Sequence, residues 1–181
     1  MKRLRTHRSV FACALACVVT ATLAACGSAK QNVHVQRNVE SLDSRTRFDP
    51  IEVTLPEGID VSRETRDVFD ETLHEELARR GLIGSMGPAG TLEVRPSVVS
   101  YSIEGGVDQS FFATQGNAVV TVEVVLIDRD GRSVGRLRAT ERSEVVGVLP
   151  KIINPALLRG AAEALAGELA AAVDGSRGGL H

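Results

Sequence analysis

The chain has 181 residues, with 21 Lys and Arg against 23 Asp and Glu, three Cys and no Trp. That balance suits one modest globular domain and excludes a disulfide-stapled scaffold or a strongly basic protein. No Lys/Arg stripe is interleaved with aromatic residues, so counterion release has no source and nucleic acid is excluded as a partner.

In chain order, the first feature is the basic stretch 1–8 (Lys2, Arg3, Arg5, Arg8), followed by a largely apolar run from Val10 to Ala25. Residues 1–25 read as an export signal, because the run is short of the ~20 residues a membrane span needs and ends on small residues. Cleavage there leaves 17 basic against 23 acidic residues, a mature charge of −6. The junction Leu23-Ala24-Ala25-Cys26-Gly27-Ser28 resembles the lipobox of bacterial lipoproteins. The resemblance implies covalent diacylglycerol and N-acyl lipid (palmitate among the acyl groups) on Cys26, which a thiolate is nucleophilic enough to accept. Several acyl chains together hold a protein on a bilayer where one chain binds reversibly. It implies a membrane-anchored, exported cell-envelope protein. Gly27 in place of Asp after the cysteine resembles the pattern sorted to the outer membrane, facing the periplasm, if the host is diderm. An ordinary secretory signal with a chance cysteine is the alternative. Cys13 and Cys17 leave with the signal, so an internal disulfide in the mature chain is excluded.

Residues 26–48 are polar and lack sustained periodicity, and are expected to form a flexible tether. About 22 such residues reach roughly 26 Å on average and about 70 Å at full extension. Residues 49–175 form the expected domain, and 176–181 a disordered tail. Ile51, Val53 and Leu55 alternate as a short strand before Pro56 and Gly58. Val61, Thr65, Val68, Phe69, Leu73 and Leu77 follow helical spacing, with Asp60 or Ser62 as cap and Gly81 as left-handed stop. Glu75 with Arg79 and Glu76 with Arg80 are expected i,i+4 pairs on that helix.

Thr91 to Ile103 alternates through Val98 and then changes parity at Val99, which predicts a bulge; Pro96 requires an edge or an irregular spot. Ala118 to Asp128 reads as a central strand, 128–131 (Asp-Arg-Asp-Gly) as a hairpin turn, and Ser133 to Val146 as a strand with Arg136, Arg138, Thr140 and Arg142 on a wet face. Asn154-Pro155 starts a second helix, whose small residues Gly160, Ala164, Gly167 and Ala171 suit close packing on a sheet. The order β-α-β-β-β-α predicts an α+β two-layer sandwich, with a mixed, mostly antiparallel sheet and both helices on one face. Glu76-Leu77-Ala78-Arg79-Arg80-Gly81-Leu82, Leu92-Glu93-Val94, the Val122 to Gly131 strand-turn and the Ala-rich last helix resemble the domain of unknown function 4410 family of small envelope lipoproteins. That resemblance implies a fold more than a chemistry.

For catalysis the chain offers little. Mature histidines His34, His74 and His181 are too scattered for a zinc site, and Asp70 with His74 lacks a nucleophile beyond Thr65 and Thr72, so a solvated helix face is the plainer account. No enzyme activity, metal or cofactor is expected beyond the lipid on Cys26. Candidate partner-binding residues are Phe111 and Phe112, in a link longer than ordinary hairpin loops, and the apolar Val148, Leu149, Ile152 and Ile153. These would dock an envelope partner or a second copy, unless they cover the end of the core. The alternative function is a carrier of a small apolar or lipidic ligand, in a pocket lined by Val120, Val122, Leu73 and Leu165.

Overall fold

The computed structural model describes residues 32–39, 42–57, 61–85, 90–104, 115–146 and 153–175, all within the compact unit Gln31–His181. Seven elements follow one another: β1 (Asn32–Val39), β2 (Arg47–Pro50), α1 (Arg63–Arg79), β3 (Thr91–Glu104), β4 (Gln115–Ile127), β5 (Ser133–Val146) and α2 (Pro155–Asp174). They make an α+β fold with one five-stranded sheet in the order β1-β5-β4-β3-β2. Among the described strands only the β2–β3 pair is parallel.

The first two strands correct the expected start of the domain. Residues 32–39, expected within a tether, pair antiparallel with β5 along their whole length. Val33 and Val35 are too short an alternation to declare a strand alone. What holds them is tertiary: Val35 and Val39 pack on the core, and Gly135 leaves the room that Val39 fills, since a Cβ there would meet Val39 Cγ2 at 2.8 Å. The second strand lies at Arg47–Pro50, earlier than the expected Ile51 to Leu55, because Phe48 is fully buried whereas Ile51 is 42% exposed. Beyond Pro50 the chain still follows β3, with Ile51 N–H donating to the Val94 carbonyl and Thr54 N–H to the Pro96 carbonyl, each at 3.0 Å. Pro96 turns that carbonyl towards the 51–54 segment, so its missing N–H faces the same way and the ladder is interrupted there.

The other elements lie where their patterns place them. Ser62 caps α1, its Oγ accepting from Thr65 N–H at 3.1 Å. Gly81, at φ 68°, closes the helix in a Schellman turn: Leu82 N–H donates to the Leu77 carbonyl and Gly81 N–H to the Ala78 carbonyl. Of the two ion pairs expected on α1, Glu76 with Arg80 forms at 3.3 Å, whereas Arg79 also turns to Glu76 in place of Glu75. In β3 the register slips between Val98 and Ser100, leaving Val99 43% exposed and returning Tyr101 and Ile103 to the side of Val98. Asp128 builds the β4–β5 turn, its Oδ1 accepting from Asp130 and Arg132 N–H groups at 2.9 and 2.8 Å, with Gly131 at φ 78°. Asn154 caps α2 by accepting from Ala156 N–H at 2.9 Å.

Both helices cover one face of the sheet. Val94, Val98, Val120, Val122, Val124, Leu126, Leu137 and Ala139 point into a core completed by Phe69, Leu73 and Leu77 of α1 and Leu158, Leu165 and Leu169 of α2. Each large side chain fully removed from water contributes roughly 1.5–3 kcal/mol.

Candidate functional site

The burial pattern of α1 determines where polar chemistry collects. Thr65, Phe69, Leu73 and Leu77 form its inward stripe at four-residue steps, so Asp70, one residue past Phe69, stands at the margin of the buried face. The segment after β2 passes that margin. A groove of about 570 Å³ results, lined by Pro50, Ile51 and Glu52 on one side and by Asp70, Glu71, His74 and Glu75 of α1 on the other. A smaller hollow of about 270 Å³ adjoins it, between Glu52, Val53, Arg63, Arg66, Asp67 and Asp70.

Asp70 and Glu52 line both hollows. Asp70 Oδ1 accepts from Val53 N–H at 2.9 Å, fastening the extended segment to the helix. Burial pushes its carboxyl up from 3.8 to about 6, helped by the neighbouring charges of Glu52 and Asp67; the Val53 hydrogen bond and Arg66 pull the other way. The groove is therefore an acidic channel with an apolar strip at Pro50 and Ile51. It can attract cations and exchange a proton near pH 6. The nearby hydroxyls are occupied structurally, Thr72 donating to the Val68 carbonyl at 2.6 Å and Thr65 lying 2.8 Å from Ser62 Oγ. Neither is held as a nucleophile.

The open face of the sheet has a different character. Glu123, only 9% exposed, accepts from Arg138 at 2.7 Å and lies 3.5 Å from Arg136. Arg142 donates to Glu104 at 2.6 Å, Arg95 pairs with Glu93, and Thr121 and Thr140 lie side by side at 3.2 Å. Arg136, Arg138 and Arg142 thus occupy the wet side of β5 as their parity implied. Among the described residues no group of three or more His, Cys, Asp or Glu has the arrangement of a metal site, and no helix is long and apolar enough to cross a membrane.

Of the site residues read from the sequence, Cys26, Phe111, Phe112, Val148, Leu149 and Ile152 lie outside the described residues. Ile153 is corrected: it is fully buried, one residue before the α2 cap, and packs into the core instead of offering a docking surface. Val120, Val122, Leu73 and Leu165, named for a ligand pocket, are likewise fully buried members of the core cluster. Sequence reasoning missed Glu52 and Ile51 as groove residues, since only the path of the chain beside α1 brings them to Asp70.

No protein-family model and no curated protein matches the chain. The resemblance to the domain of unknown function 4410 family therefore rests on its motifs alone. Among solved structures, the chain is similar to the PelC dodecamer from Paraburkholderia phytofirmans, at a TM-score of 0.44 and 17% identity over 78% of this chain and 96% of that one. A Xanthomonas campestris protein of the domain of unknown function 330 family gives 0.42 and 12% identity, over 78% and 94% of the two chains. A candidate lipoprotein from Caulobacter crescentus gives 0.35 and 18%, over 72% and 91%. These are likenesses of outline between distant sequences.

Proposed function

We propose that this chain is a non-enzymatic, lipid-anchored lipoprotein of the bacterial cell envelope, whose α+β domain binds or scaffolds another envelope component. The observation that carries the reading is Leu23-Ala24-Ala25-Cys26-Gly27 at the end of an uncharged apolar run with a basic start. Gly27 favours the outer membrane, on its periplasmic side, in a diderm host. The strand at Asn32 shortens the expected tether: it begins about six residues after Cys26, a span of about 20 Å at full extension. On this reading the domain works close to the lipid headgroups. The residues proposed to face its partner are Phe111 and Phe112, with Val148, Leu149 and Ile152.

Replacing Cys26 by Ser tests the anchor. The expected product is an unprocessed precursor without acyl label; a mature-size, acylated protein from that variant would overturn the reading. For the partner, crosslinking in intact cells compares wild type with the Phe111→Ala, Phe112→Ala double variant. A defined envelope protein captured by the first and lost from the second is the expected result.

A further inference from the structure

We infer that the outer edge of β1 pairs antiparallel with β1 of a second copy of this chain, joining two sheets across a two-fold axis. The two edges of the sheet are unlike. At β2 the chain covers itself: Phe48 N–H donates to the Leu82 carbonyl at 2.7 Å, Gly84 N–H donates to the Phe48 carbonyl at 3.0 Å, and Phe48 is bridged to Ile83. At the opposite edge β1 uses one side on β5, and no described strand lies on its other side. A strand turns its backbone groups alternately to its two sides, so β1 presents a row of N–H and C=O groups outward.

Within the described strand the edge carries few of the usual protections. Asn32–Val39 contains neither Pro nor Lys, and its register with β5 runs without a bulge. Its one charge, Arg37, lies 3.9 Å from Glu168 of α2. Three features point to a second copy as the occupant. First, registers centred on Val35 or Gln36 keep both core faces on the same side and set Arg37 against a valine, so no like charges meet. Second, a two-fold contact uses each β1 edge once, and β2 on the far side is already bridged at Phe48 to Ile83, so pairing through β1 closes at two copies. Third, on the lipid-anchor reading, the short leash from Cys26 confines the β1 edges of all copies to a layer about 20 Å deep, which raises their effective concentration. An axis normal to the bilayer lets both leashes reach the same surface. This third point alone rests on the proposed anchor.

Once Cys26 is acylated and the signal is removed, a single added cysteine is the sole thiol of the mature chain. The experiment expresses full-length His34→Cys, Val35→Cys and Gln36→Cys variants in bacteria that process lipoproteins, with Asp130→Cys at the exposed hairpin tip as a collision control, and applies mild oxidant. Opposed Cα atoms of an antiparallel pair lie about 4.5–5.5 Å apart, inside the disulfide range of about 4.4–6.8 Å, whereas a two-residue offset lies outside it. The expected result is a band at twice the monomer mass that peaks at Val35→Cys or Gln36→Cys and falls to the Asp130→Cys level elsewhere. In acylated chain, equal bands at all positions, or none, overturn the pairing. Acyl label on Cys26 is read in the same samples, so the two readings fail separately. A peaked band without label upholds the edge and removes the anchor, and labelled chain without a band does the reverse.

Discussion

The two helices cover the same sheet face in opposite ways. Eleven residues of α2 are buried against four of α1, so α2 is a core element and α1 a margin with one face in water. The difference follows from composition. α2 is built of Ala, Gly and Leu, which let its backbone approach β5 until Gly160 sits directly on the buried carboxylate of Glu141. α1 alternates its apolar stripe with Asp, Glu and Arg, and its polar margin forms a groove where the chain after β2 runs past. In this molecule the helix that contributes less to the core carries the titrating group.

The largest effects that test the contrast come from the core. Leu165→Ala in α2 and Leu73→Ala in α1, both fully buried, should each cost about 2–5 kcal/mol in urea unfolding, with Leu165→Ala at the upper end because its surroundings are backbone-close and relax least. Equal or reversed costs would erase the distinction between core and margin. Next come two glycines of one helix. A Cβ at Gly160 would lie 2.5 Å from Glu141 Cδ, whereas nothing lies within 4 Å of one at Gly167. Gly160→Ala should therefore destabilise by about 1–3 kcal/mol, and Gly167→Ala should stabilise by up to about 1 kcal/mol through helix propensity. Two changes of the same sign would mean that α2 does not pack on β5 through Gly160.

On the margin, Ser62→Ala removes the α1 cap and should cost about 1 kcal/mol. Asp70 adds a pH signature. Its carboxyl is raised from 3.8 to about 6 on folding, so folding favours the protonated form, and the stability this supplies below pH 4 is lost as the pH rises through about 6. With the group partly exposed and screened by water, the loss should be about 1 kcal/mol. Asp70→Asn, which retains an oxygen for Val53 N–H, should flatten urea midpoints between pH 4 and 6. A variant as pH-dependent as wild type would place the titration elsewhere. Smallest of all, Glu104→Gln should change stability by no more than about 1 kcal/mol, as for exposed ion pairs generally.

Much of this architecture was legible in the sequence because its signals are local. Helical spacing from Thr65 to Leu77, the Ser62 and Asn154 caps, the Gly81 and Gly131 turns and the parity slip at Val99 each act within a few residues. Short-range sterics and backbone hydrogen bonding favour such features from within the segment itself. The Leu23 to Gly27 junction is likewise a local chemical pattern, and the anchor reading rests on it.

Tertiary structure alone decided β1, the position of β2 and the groove. An eight-residue strand with three valines has no propensity strong enough to declare itself, and becomes a strand only because β5 offers an unpaired edge and Gly135 makes room for Val39. Phe48, a lone aromatic in a polar stretch, is buried because Leu82 and Gly84 close over its strand. The Asp70 carboxyl is raised to about 6 because the fold buries it, with Glu52 and Asp67 adding to the rise, while the N–H of Val53, 17 residues away in the chain, holds it partly back. Periodicity reports which face of an element seeks cover; which distant segment supplies it depends on how the whole chain closes, and the edge, the groove and the shifted carboxyl all arise there.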